Sequence, residues 1–115
     1  MELNRLLEKA REYQNDMESY REYLHQNPEV GMNLHLTKEF VKQKLIKMGY
    51  EPQEICESGI VACTRVKEKG KVFLLRADMD ALPIKEETDI ACKSVNGNMH
   101  GCGHDMHTSM LLGAA

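Results

Sequence analysis

The chain has 115 residues, 42% hydrophobic, 29% charged and 5% aromatic, a composition that fits one folded globular domain and excludes disorder as the default. With 15 Lys and Arg against 18 Asp and Glu, the net charge of -3 leaves no basic excess to attract a nucleic-acid backbone. The longest apolar runs, Val72 to Leu75 and Met110 to Ala115, fall far short of the roughly 20 residues of a membrane-spanning helix, and the start lacks the order of a secretory signal, so a cytoplasmic protein is expected.

From Leu3 onward, Leu6, Leu7, Ala10, Tyr13, Met17, Tyr20 and Leu24 recur at steps of three and four, which predicts one long amphipathic helix. Pro28 ends it near Gln26 or Asn27, because the residue before a proline is driven out of helical geometry. A second helix fits Leu36 to Met48, with Leu36, Phe40, Val41, Leu45 and Met48 facing inward and Gly49 as a left-handed cap. Next, Gly59 to Val66 reads as a strand and Lys67 to Lys71 as a turn. Val72-Phe73-Leu74-Leu75 reads as a strand buried on both faces. From Gly101 the chain passes through a glycine-flanked loop into a last helix carrying Met106, Met110, Leu111 and Leu112. The order of elements predicts an α/β fold in one domain, 1–115. The helical pattern runs to Ala115 without a cap, and two or three strands are few for a sheet under three helices, so further sequence is expected to finish the core.

Two stretches can carry chemistry. In Leu75-Arg76-Ala77-Asp78-Met79-Asp80, the aspartates stand two apart, which in an extended chain turns both to one face at the carboxyl end of a strand, where α/β sheets bind ligands. Adjacent carboxylates repel unless a cation or donor lies between them, which suggests a metal or a histidine partner; the alternative is that both cap a turn before Pro83. Met99-His100-Gly101-Cys102-Gly103-His104-Asp105-Met106-His107 gathers three of the five histidines, a thiol and a carboxylate. Thiolate and imidazole are zinc-type ligands, and the glycines let Cys102 and His104 turn toward one ion. Three alternatives stay open. A redox thiol would lack a nearby resolving cysteine. A closed zinc site of Cys92, Cys102, His104 and His107 would lack a C-x-x-C pair. A Cys-His nucleophile pair would need attack geometry from residues only two apart. Cys56, Cys63, Cys92 and Cys102 are read as free thiols. His35 is read as an ordinary surface histidine, His25 is left open, and Met17, Met48, Met106 and Met110 are read as core filler.

Three stretches together, Leu24-His25-Gln26-Asn27-Pro28-Glu29-Val30-Gly31, Leu74 to Pro83 and Met99 to His107, resemble the metal-dependent N-acyl-amino-acid amidohydrolases, the family of aminoacylase, hippurate hydrolase and auxin-conjugate hydrolase types. The resemblance implies the amino-terminal part of a zinc-peptidase-like catalytic domain, with helices on a mostly parallel or mixed sheet, that cleaves the amide of a small N-acyl amino acid. It implies two divalent metal ions, zinc or manganese, with cobalt or nickel as substitutes. Cys102 and His104 match metal ligands, Asp80 matches a residue counted as catalytic, and Asp78 stands where distant relatives place a histidine ligand. Water acidified by the cations and deprotonated by a glutamate is the implied nucleophile. That glutamate, the remaining ligands and a smaller lid domain, through which relatives often form homodimers, lie beyond the matched region. The 115 residues alone are therefore expected to hold part of a metal shell and to lack activity. Met32-Asn33-Leu34 departs from the family pattern and is expected to be neutral for chemistry. The rival readings are a small metal-binding or interaction module and a thiol-dependent redox protein.

Overall fold

The structure is a computed structural model that describes residues 2–64 and 69–115. Among these residues, four helices and a two-stranded sheet follow one another as α1 (Leu3–Glu12), α2 (Gln14–Gln26), α3 (His35–Lys47), β1 (Gln53–Ile55), β2 (Gly59–Val61) and α4 (His104–Ala114). The expected first helix is thus two, parted at Tyr13, whose ψ of 2° leaves helical geometry. No proline or glycine marks that break, and α1 buries none of its residues, so no packing face holds it in line with α2. α2 closes where expected. The Asn27 amide side chain donates to the Tyr23 carbonyl at 2.8 Å, and Pro28 follows.

α3 is started by a carboxylate from outside it. Glu29 accepts from the backbone N–H groups of Leu36 and Thr37, at 3.1 and 2.6 Å, satisfying donors that a helix start leaves open and placing negative charge against the positive end of the dipole. The inward face differs from the expected one: Thr37, Val41 and Leu45 are buried, while Leu36 and Met48 are exposed. Gly49, with φ at +93°, adopts the left-handed conformation expected at the helix end.

Val41, Leu45 and Leu112 form the core cluster, edged by Tyr20, Phe40, Ile60 and Met79. Burying a leucine of this kind contributes roughly 1.5–3 kcal/mol. Phe40 stacks on Tyr23 at 4.2 Å between ring centroids and meets Tyr20 edge-on, joining α2 to α3. α4 packs along α2, and the approach is close enough that a methyl group on Gly113 would run into the Met17 side chain.

The sheet is antiparallel, with Glu54 opposite Ile60. The expected strand at Gly59 to Val66 is therefore shorter, and its partner β1 carried no clear strand signal; Arg65, Val66, Lys67 and Glu68 lie outside the described residues. The reading of Val72 to Leu75 as a buried strand is corrected. These residues are 68 to 93% exposed and join no strand among the described residues. A strand hidden on both faces needs neighbours on either side and helices above and below, and the described residues supply none there. Among the described residues, no helix is long and apolar enough to cross a membrane.

Candidate metal centre

The segment after Leu75 is extended and pinned at its far end. The Ala81 N–H donates to the Glu29 carbonyl at 2.7 Å, forming a parallel bridge with Val30, and Leu82 and Met99 exchange backbone hydrogen bonds at 2.9 and 3.0 Å. At its near end the Thr108 hydroxyl on α4 donates to the Asp78 carbonyl at 2.8 Å. Asp78 and Asp80 are thereby held against the first turns of α4. That helix begins directly after Gly103, whose φ of +89° places it in the left-handed region that a side chain disfavours. His104 and His107, three residues apart, lie on one helix face.

Both aspartates meet His104. Its Nδ1 faces the Asp80 carboxylate at 2.9 Å and the Asp80 carbonyl at 2.8 Å, and its Nε2 faces the Asp78 carboxylate at 3.5 Å. His107 Nδ1 lies 2.8 Å from the other Asp78 oxygen. The two imidazole rings are 5.5 Å apart. One ligand atom from each of Asp78, His104 and His107 falls within 4.8 Å of the others. The hydrogen bond from His107 holds the Asp78 carboxyl below its ordinary value of 3.8, against a smaller opposing effect of burial.

The donor set fits a divalent ion. A metal-bound imidazole usually donates its other ring N–H to a carboxylate or carbonyl, which fixes its tautomer and orientation; Asp80 stands ready to do both for His104. Two imidazoles and a carboxylate suit zinc and comparable ions. Of the residues singled out in the sequence, Asp78, Asp80 and His104 come together. Cys102 is a free, exposed thiol outside the three-residue group. The closed zinc site of Cys92, Cys102, His104 and His107 is not assembled among the described residues; the Cys92 sulfur instead lies 3.9 Å from an Arg21 guanidinium nitrogen. His107 is the member that the main reading passed over, although its spacing from His104 marked it as sharing a helix face.

A second assembly lies on the buried side of the same helix turn. His25 is 2% exposed, with Nδ1 at 2.8 Å from Asp105 and Nε2 at 3.0 Å from Glu86. Arg21 donates to the same Asp105 oxygen at 3.0 Å. Burial raises the Glu86 pKa, but hydrogen bonds from the Thr88 hydroxyl, the Ser94 N–H and His25 outweigh it and hold the carboxyl at about 2. His100 is also buried. Neither of its ring nitrogens has a hydrogen-bond partner among the described residues, and burial pushes the imidazole toward its neutral form.

Residues 74–115, which contain Asp78, His104 and His107, match peptidase family M20/M25/M40. The chain is 43% identical to a hippurate hydrolase of Campylobacter jejuni over 96% of its own length and 29% of that protein's. It is 40% identical to an N-acyl-L-amino acid amidohydrolase of Geobacillus stearothermophilus over 99% of its length and 30% of that protein's. A crystal structure of a Bacillus subtilis dinuclear metal binding peptidase from the M20 family superposes with a TM-score of 0.79 at 33% identity, covering 89% of this chain and 29% of that one. The chain spans about three tenths of the length of these proteins. The chain thus corresponds to the amino-terminal portion of these longer proteins, and its residues 74–115 carry the match to peptidase family M20/M25/M40.

Proposed function

We propose that this chain supplies part of the metal centre of an amidohydrolase that cleaves the amide bond of small N-acyl amino acids. The observation that carries the reading is His104, held at Nδ1 by Asp80 with Nε2 turned toward Asp78 and with His107 alongside. The substrate class follows the similarity to the hippurate hydrolase and the N-acyl-L-amino acid amidohydrolase, and the metal requirement follows the likeness to the dinuclear peptidase.

In this reading His104 and Cys102 are ligands to two divalent ions, zinc or manganese, with cobalt or nickel as substitutes, and Asp78 stands beside them as a further carboxylate donor. When bound, such ions acidify water and polarise the amide carbonyl. Asp80 accepts the His104 Nδ1 proton and so keeps the Nε2 lone pair directed at the site. Exposure of Cys102 at the loop before α4 leaves its sulfur free to turn toward the cluster, since a glycine lies on either side of it. The four free thiols support a reducing compartment.

The test is metal titration of the stripped chain by calorimetry, together with hydrolysis of hippurate by the protein that contains it. Zinc or manganese is expected to bind, His104→Ala to abolish that binding, and the same substitution to abolish hydrolysis. Equal metal uptake by the wild type and His104→Ala would sink the reading.

A further inference from the structure

We propose that His25 is a positioning residue for the candidate metal centre: clamped between Glu86 and Asp105, it fixes the first turn of α4 and thereby the angle at which His104 and His107 meet Asp78. The inference rests on the reading of that cluster as a metal site. It assigns a role to a buried assembly that the chemistry of the site leaves unused.

Asp105 follows His104 directly, so any rotation of the helix start moves both. The usual device for fixing a helix start is missing. Gly103 at the cap has no side chain, and among the described residues no side-chain hydrogen bond caps α4. What grips the turn instead is the Asp105 carboxylate. One oxygen takes His25 Nδ1 at 2.8 Å and Arg21 Nε at 3.0 Å, and the other accepts from the Met106 N–H at 2.9 Å. The Asp105 carbonyl also accepts the Ser109 hydroxyl at 2.6 Å.

His25 cannot yield to a displaced Asp105, because its other ring nitrogen is held as well. Glu86 takes Nε2 at 3.0 Å and is itself tied to the Ser94 N–H at 2.8 Å and to the Thr88 hydroxyl. A continuous set of hydrogen bonds therefore runs from the loop containing Glu86 and Ser94, through an imidazole on α2, to the residue beside a candidate ligand. All three members, Glu86, His25 and Asp105, are at most 2% exposed, so water offers no substitute partner when one is removed. A metal site needs its donors held to within about 0.5 Å, and supports of this kind are what hold them.

The test compares wild type, His25→Gln and Glu86→Gln in the full chain, with Co2+ alone as the probe. Visible absorption reads the coordination geometry, titration reads affinity, and denaturant unfolding reads stability. Leu112→Val, which loosens α4 without touching Asp105, is the control for stability alone. Both network variants are expected to bind Co2+ about tenfold more weakly, with a changed visible band, whereas Leu112→Val keeps the wild-type spectrum. If His25→Gln does not fold, Glu86→Gln, which keeps the shape of the buried carboxyl, gives the same readout. Network variants that lose stability yet keep the wild-type spectrum and affinity would overturn the positioning role. A wild type that takes up no Co2+ would instead overturn the metal reading on which it stands.

Discussion

Two imidazole–carboxylate assemblies meet on opposite sides of the first turn of α4. On one side His25, Asp105 and Glu86 are sealed from water; on the other the side chains of His104, Asp78 and His107 are 18, 26 and 48% exposed. The same residue types make both, and burial decides what each can do. The sealed set has both ring nitrogens of His25 engaged by carboxylates and is at most 2% exposed. The open set presents donor atoms that converge within reach of solvent. Breaking a buried charged pair strands a charge in a poorly solvated interior, whereas breaking an exposed one releases it to water.

That contrast predicts a graded response. Glu86→Ala removes one carboxylate from the sealed set and is expected to cost about 3–5 kcal/mol of stability in denaturant unfolding. Acid should attack the same set. The Glu86 pKa falls from 4.5 to about 2 on folding, so its stabilisation is complete above pH 4.5 and drains away as pH drops toward 2. Unfolding followed from pH 6 to pH 2 is expected to show this loss in wild type, and a clearly flatter profile in Glu86→Gln.

Gly103→Ala lies between the two sets. Its Cβ meets no atom within 4 Å, so the expected cost of about 1–2 kcal/mol comes from the left-handed backbone alone. At the open end, His107→Ala is expected to change stability by less than about 0.5 kcal/mol, measured in the absence of metal, while weakening zinc or manganese binding in calorimetry. A large loss of stability in His107→Ala, or none in Glu86→Ala, would erase the distinction between the two sides.

Much of the open set was legible because it is local. Asp78 and Asp80 two apart on an extended segment, and His104 in a glycine-flanked loop, advertise their chemistry through spacing. The sealed set was not legible in the same way. His25, Glu86 and Asp105 are 61 and 80 positions apart along the chain measured from His25, and nothing near Glu86 distinguishes it from the exposed acidic residues beside it. His25 and Asp105 fell within the stretches that resembled a family, but their pairing did not follow from either stretch alone. The apolar run Val72 to Leu75 shows the opposite failure: its composition spoke for burial, yet hydrophobicity states a preference for partners and not their presence.

The sequence by itself determined where the chain is helical, since periodicity is a local property, but not the break at Tyr13; it also determined the proline and glycine stops and which residues carry metal-type donors. Only the tertiary structure decided which of those donors converge, since convergence depends on Ala81 and Leu82 being pinned to distant backbone and on α4 lying against α2. It alone decided that one histidine is locked between two carboxylates while another faces solvent, because burial is a property of the whole packed chain and not of any segment of it.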